Sequence, residues 1–337
     1  MTLKNATILI TGGAGFIGSH LSSELSKHNR VIVFDNFSSA VLKPKDLLNL
    51  GVSRVIRGDI LNEKQLEKGL RGIDVVFHLA VACVRLSLSE KLPVHTVNAT
   101  GTLEALIAAK KNGVKRFVYV SSSEVYGSAE KNTMDEQHPI SPTTVYGMSK
   151  YMGELYTHYF NDREDLPTVI VRPFNTYGPR SHCEGVYGEV IPRFAVRAVN
   201  GKQPIIFGSG TQTRDFTFVT DTVDGIIRAG QSDRLTGEAI NIAYGAEVSI
   251  TDIAKIICKK AGVPFRPIMK PARPNDVSRH KADISKAKTV LTYQPQVDIA
   301  SGISHYLSWI KDSYPNPKTL MKSVPAINWS IYEIKSV

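Results

Sequence analysis

The run Tyr146-Gly147-Met148-Ser149-Lys150 places a phenol and an ammonium four residues apart, on one face of any helix that contains them. A cation beside a phenol favours the phenolate, and so turns a group with an ordinary pKa of about 10 into a base usable near neutrality. Tyrosine and lysine fall four apart by chance in many helices. Three further stretches give this pair meaning: the glycine-rich Thr11-Gly12-Gly13-Ala14-Gly15-Phe16-Ile17-Gly18, the segment Ser121-Ser122-Ser123-Glu124, and the Arg172 to Arg180 stretch that carries Asn175. Together they describe the site of an oxidoreductase that works with a dinucleotide.

Each of these groups needs an element to hold it. Thr7-Ile8-Leu9-Ile10-Thr11 is a short apolar run of the kind that forms a strand buried on both faces. The glycines after it read as G-x-x-G-x-x-G at 12, 15 and 18, or as G-x-G-x-x-G at 13, 15 and 18. Either spacing lets the backbone turn tightly and approach a pyrophosphate on the N-terminus of a helix beginning near Gly15. A second strand runs into Asp35, about twenty residues on, where a carboxylate bonds ribose hydroxyls and repels a 2′-phosphate, so NAD is expected rather than NADP. The alternation continues with strands expected over 54–58, 74–79, 115–121 and 168–172, and helices over 62–70, over 93–111 and from about Thr143. Strand alternating with helix predicts an α/β fold with a doubly wound parallel (Rossmann) sheet. In the 93–111 helix, Val94, Val97, Leu103, Leu106 and Ile107 suit either a core or another subunit. Beyond Pro173, Gly and Pro become denser and the alternation is lost. The division expected is a dinucleotide-binding domain over 1–172, a smaller α/β substrate domain over 173–315 with some segments returning to the first, and an unassigned tail over 316–337.

The 337 residues carry a net charge of +10, but lysines and arginines are scattered, with no basic block of five or more, so nucleic acid is not an expected partner. Three widely spaced cysteines show no C-x-x-C, which suggests neither a disulfide framework nor a metal site and fits a reducing cytoplasm. No apolar run has transmembrane length and a strand pattern begins within a few residues of Met1, so neither membrane insertion nor a signal peptide is expected.

From about Thr7 to about Tyr306 the chain resembles the extended short-chain dehydrogenase/reductase family, in particular its nucleotide-sugar epimerases, dehydratases and decarboxylases, and looks most like UDP-glucose 4-epimerases. The likeness rests on the glycine turn, His78-Leu79-Ala80, residues 121–127, Tyr146-x-x-x-Lys150, residues 172–180, Arg214-Asp215-Phe216 and Arg273-Pro274-Asn275-Asp276. It implies that Gly12, Gly15, Phe16, Ile17, Gly18, Asp35, Asn36, Ser38, Asp59, Ile60, Leu79, Ala80, Asn98, Ser121 and Pro173 surround NAD, with Tyr146 as base and Lys150 as partner of the phenolate and the cofactor ribose. Ser122 would bond the sugar hydroxyl. Asn175, Arg214 and Arg273 would clamp the diphosphate, Asp276 the nucleoside ribose, and Phe207 the nucleobase, with Val190 also on the substrate side. The resemblance further implies a homodimer through the helices that carry Asn98 and Tyr146.

The shared chemistry is oxidation of a UDP-sugar to a 4-keto sugar, after which the family divides. Return of hydride to the other face gives C4 epimerisation, the leading expectation, with UDP-glucose, UDP-N-acetylglucosamine or UDP-glucuronate as substrate. Glu124 keeps open 4,6-dehydration or decarboxylation of a glucuronate, in which family members place a glutamate here; the dTDP-glucose type also carries an aspartate where this chain has Ser123. After Ala80 the run Val81-Ala82-Cys83-Val84-Arg85 is one residue shorter than the family's, and Arg85 is either a partner for a uronate carboxylate or a solvated surface residue. A non-catalytic protein sensing the dinucleotide is the alternative of another class; such proteins usually lose the tyrosine or the lysine, and both are kept.

Overall fold

The computed structural model describes residues 3–274 and 276–329. Asn275 of the Arg273 to Asp276 motif and residues 330–337 of the tail lie outside the described residues. Six strands, Thr7–Thr11 (β1), Arg30–Asp35 (β2), Arg54–Arg57 (β3), Val75–His78 (β4), Arg116–Val120 (β5) and Thr168–Pro173 (β6), join a seventh, Ala239–Ile242, in one sheet. Its order is Ala239–Ile242, β6, β5, β4, β1, β2, β3, with every neighbouring pair parallel. Chain order reverses between β1 and β4, and in an open α/β sheet that reversal opens a crevice beyond the strands' C-terminal ends.

Alternate residues of these strands feed two cores. On one face Ile8, Ile10, Val31, Val33, Phe77 and Val118 pack with Leu21 and Leu25 of α1 (Phe16–Ser26). On the other, Leu9, Ile32, Phe34, Val76 and Phe117 pack with Leu66 of the helix Glu63–Gly69 and with Ala105 and Leu106 further along. Burial of each such aliphatic side chain contributes about 1.5–3 kcal/mol. The first core runs on without a break into Phe194, Val223, Ile226, Ile253, Ile257 and Ile303 of the later helices.

The helix expected over 93–111 consists of Lys91–His95 and Gly101–Lys111 joined by a wider π turn over Thr96–Thr100. Its apolar positions divide: Val94 and Leu106 are fully buried, whereas Ile107 is exposed. The helix of Tyr146 and Lys150 spans Val145–Arg163, and its N-terminus is capped by the Thr144 hydroxyl, which accepts from Gly147 N at 3.1 Å. A Cβ at Gly147 would stand 2.6 Å from the Glu124 carbonyl oxygen. Glycine there lets this helix start close against residues 122–124, which brings the tyrosine and the serines together.

Candidate active site

One cleft of about 640 Å³ opens along the C-terminal edge of the sheet. Every residue singled out from the sequence lines it except Asn98: Gly12, Gly15, Phe16, Ile17, Gly18, Asp35, Asn36, Ser38, Asp59 and Ile60 at one end, Leu79, Ala80, Arg85, Ser121, Ser122, Ser123, Glu124, Tyr146, Lys150 and Pro173 in the middle, and Asn175, Val190, Phe207, Arg214, Arg273 and Asp276 beyond.

The first end fits NAD. Gly15 is the N-cap of α1, and no side chain caps the helix there. Its first amides are therefore available to an anion. Gly12 adopts φ +69°, and a Cβ there would stand 2.7 Å from Ala80 N; a Cβ at Gly18 would stand 2.1 Å from Gly12 O. The turn is thus as tight as the backbone allows. Asp35, buried at the end of β2, accepts from Ala14 N at 2.9 Å and Phe37 N at 2.8 Å. It stiffens the turn while each oxygen keeps a lone pair for a ribose. Burial raises its carboxyl above the usual range, and the two amide bonds oppose that. Asn36 donates to Asp59 at 3.1 Å, which ties the ends of β2 and β3.

In the middle, Ser122 stands beside the Tyr146 phenol, and both residues line the cleft. Burial raises the phenol well above its ordinary range; Ser122 lowers it, and Glu124, Cys83 and Glu189 raise it further. Lys150 is fully buried, and its ammonium donates to Val120 O at 2.8 Å, 4.2 Å from the centre of the Tyr119 ring. Burial pushes it down to about 7, against the opposing pull of Glu154. The tuning expected of this pair is therefore different here: burial, not the neighbouring cation, dominates the phenol. Beneath them Glu154 holds Arg172 in a buried two-bond pair of 2.9 and 2.6 Å and accepts the Ser121 hydroxyl at 2.5 Å. The side chain of Ser121 is thus committed to the floor of the site.

Two sequence expectations are corrected. Asn98 lies outside the cleft: it is 1% exposed, accepts from Ala82 N at 2.8 Å, and donates to Ala82 O at 3.1 Å and Ser149 Oγ at 3.2 Å. The π turn points it inward, so it braces the 80–85 loop from behind. Arg85 is not a solvated surface residue: it lines the cleft with two of its guanidinium nitrogens committed. Its Nε and Nη2 donate to the Val186 and Tyr187 carbonyls at 2.8 and 2.5 Å, and Glu189 stands 3.7 Å from Nη2. Glu124, by contrast, makes no side-chain hydrogen bond or ion pair among the described residues, although it lines the cleft.

At the far end Asp276 Oδ1 accepts from Arg214 Nη2 at 2.7 Å and Arg273 Nη2 at 2.5 Å. Asn175 Oδ1 is buried without a partner. Sequence reasoning missed Glu189, Arg193, Asn328 and Trp329, which line this cleft together with Cys83 of the 81–85 run. They belong to no recognised motif, and Trp329 arrives from a tail more than a hundred residues after Phe207, its neighbour.

A sequence profile for the NAD dependent epimerase/dehydratase family matches residues 8–243. A putative UDP-glucose 4-epimerase of Methanocaldococcus jannaschii is 34% identical over 314 residues, covering 91% of this chain and 99% of that one. A UDP-N-acetyl-alpha-D-glucosaminuronate decarboxylase of Bacillus cytotoxicus is 34% identical over 318 residues, covering 90% of this chain and 97% of that one. The crystal structure of UDP-glucuronic acid 4-epimerase from Bacillus cereus in complex with UDP-glucuronic acid and NAD superposes with a TM-score of 0.84 at 35% identity, over 91% of this chain and all of the other. The chain therefore belongs to the NAD-dependent epimerase/dehydratase family, and it is an enzyme that works with NAD.

Proposed function

We propose that this enzyme inverts C4 of a UDP-sugar, with Tyr146 as the proton-transfer residue. The observation that carries the reading is the placement of Ser122 beside the Tyr146 phenol, in a cleft between a dinucleotide-shaped end and an arginine-rich end. Bound NAD supplies a ring that takes hydride from the sugar carbinol and returns it, and its positive charge favours the phenolate. Gly12, Gly15, Gly18, Asp35 and Asp59 would hold the cofactor. Tyr146 takes the C4 hydroxyl proton while Ser122 orients that hydroxyl, and it gives the proton back after the 4-keto sugar has turned over. Arg214 and Arg273, released from Asp276, take the diphosphate through their planar forks, and Asn175 Oδ1 gains a donor.

The commitment of Arg85 Nε and Nη2 to two backbone carbonyls, with the Glu189 carboxylate 3.7 Å away, favours sugars with a neutral C6, UDP-glucose and UDP-N-acetylglucosamine, over UDP-glucuronate. The unpartnered Glu124 supports a second reading, in which it takes the C5 proton and the product is a 4,6-dehydrated or decarboxylated sugar. Incubation with the three UDP-sugars in deuterated water separates the two. A C4 epimer without solvent deuterium supports epimerisation. Deuterium at C5 or release of carbon dioxide supports the second reading, and no turnover of any of the three refutes both.

The reading includes a homodimer through the outer faces of Gly101–Lys111 and Val145–Arg163, which expose Ile107, Met148, Met152, Leu155 and Tyr159. It also includes a cytoplasmic location, which the three unpaired cysteines fit. Among the described residues no helix is long and apolar enough to cross a membrane.

A further inference from the structure

The tail left unassigned by the sequence folds back onto the cleft. The Ser323 carbonyl accepts from Gly185 N at 3.0 Å. Arg193 Nη2 donates to the Pro325 and Ala326 carbonyls at 2.8 and 2.9 Å, and its Nη1 to Asn328 Oδ1 at 2.9 Å. Asn328, only 2% exposed, donates in turn to Gly188 O at 2.6 Å. These bonds set the half-buried Trp329 against Phe207, with ring centres 4.5 Å apart and planes at 77°. Gly188, Arg193, Phe207, Asn328 and Trp329 all line the cleft.

Two features of this corner point to a ligand. A ring face and a ring edge meeting near a right angle match how a flat heteroaromatic group packs, stacked on one ring and edge-on to the other. Arg193 has no carboxylate partner among the described residues, and its Nε is buried without a hydrogen bond. A guanidinium held this way costs stability until an anion offsets it. The relatives named above are matched over 97–100% of their length by 90–91% of this chain. The family profile ends at residue 243, so residues 323–329 lie outside it.

We propose that Trp329 is a nucleobase-binding residue of this enzyme, and that residues 323–328, anchored by Arg193 as a positioning residue, form the outer wall of the nucleoside pocket. The inference rests on the nucleotide-sugar reading above and adds a wall to that site from outside the matched region. A pyrimidine of a nucleoside diphosphate lies in the corner between Phe207 and Trp329, and its diphosphate faces Arg193 Nε, Arg214 and Arg273.

The test is UDP binding to the NAD-loaded full chain, by calorimetry and by tryptophan emission. The chain has two tryptophans, so Trp309→Phe leaves Trp329 as the sole reporter. UDP should quench that emission. Trp329→Ala should weaken UDP binding about tenfold, as loss of one base-stacking aromatic does, and raise KM for the UDP-sugar by a similar factor while kcat changes less than twofold. Trp329→Phe should restore most of the affinity, which a merely structural role would not require. Removal of residues 323–337 should match Trp329→Ala with NAD affinity kept, which guards against misfolding. UDP affinity that is unchanged or higher in Trp329→Ala and in the truncated chain overturns this inference and leaves the function above standing, with a higher value marking the tail as a plug. A wild-type enzyme that binds none of UDP, dTDP and GDP overturns both.

Discussion

Tyr146 and Lys150 are four residues apart on one helix, yet burial acts on them in opposite senses: it raises the phenol and lowers the ammonium to about 7. The spacing was legible because helix geometry is local. The protonation was not, because it depends on burial and on Val120, Ser122 and Glu124 from other elements, as well as on Glu154 one turn further along the same helix. Tyr146→Phe removes only the hydroxyl and keeps the ring that fills the site. It should lower kcat by at least about a hundredfold, as expected for loss of a general base, with NAD and UDP affinities changed less than threefold. Stopped-flow detection of NADH reads the same step, and an unchanged rate in this variant would remove the catalytic role and leave the dinucleotide sensor as the better account. Asn98 shows the reverse error. Its sequence position suggests the cofactor, but its side chain braces Ala82 from outside the cleft, and both its N–H donors are already used.

At the scale of elements, Met148, Met152, Leu155 and Tyr159 recur at steps of four, three and four along Val145–Arg163, all between 37 and 53% exposed. That is an apolar stripe on the outward face of a helix whose other face already packs on the sheet. Met152→Glu places a charge in the middle of the stripe. It should convert the enzyme from dimer to monomer at ten micromolar by light scattering, with NAD binding retained. A wild-type chain that is already monomeric there refutes the dimer. Strands β1, β2, β4, β5 and β6 were readable as mainly apolar runs because strands buried on both faces need them, whereas the edge strand β3 was placed by the strand and helix alternation. The seventh, Ala239–Ile242, escaped notice because it is four residues long and carries Asn241. That polar group is tolerated in the sheet because it donates to Met134 O at 2.9 Å and accepts the Tyr126 hydroxyl at 2.8 Å, partners from a loop a hundred residues earlier.

Across the whole molecule, the titrating groups that burial displaces most set an acid limit. His20, His78 and His280 are pushed down to about 4, 3 and 4, with burial as the leading cause in each. Below pH 6.5 the unfolded chain binds three protons on these imidazoles that the native state refuses, so stability is complete above that pH and declines toward pH 4. Asp215, raised to about 7 by burial, works the other way over the same range, as do Asp35, Glu136, Glu189 and Asp221, whose carboxyls burial also raises. The imidazole contribution is therefore read as a difference: His20→Asn should make the urea midpoint fall less, or rise more, between pH 6.5 and 4.5 than in the wild type, and an identical slope would show this imidazole protonated inside the fold. By itself the sequence determined the Rossmann sheet, the glycine turn, the Asp35 carboxylate and the Tyr146 to Lys150 spacing, because each depends on residues close in the chain. Only the tertiary structure decided that two nitrogens of Arg85 are committed, that the Glu124 side chain makes no hydrogen bond or ion pair among the described residues, and that Trp329 stands beside Phe207. Those facts depend on which distant side chains share a partner, and no local pattern records that.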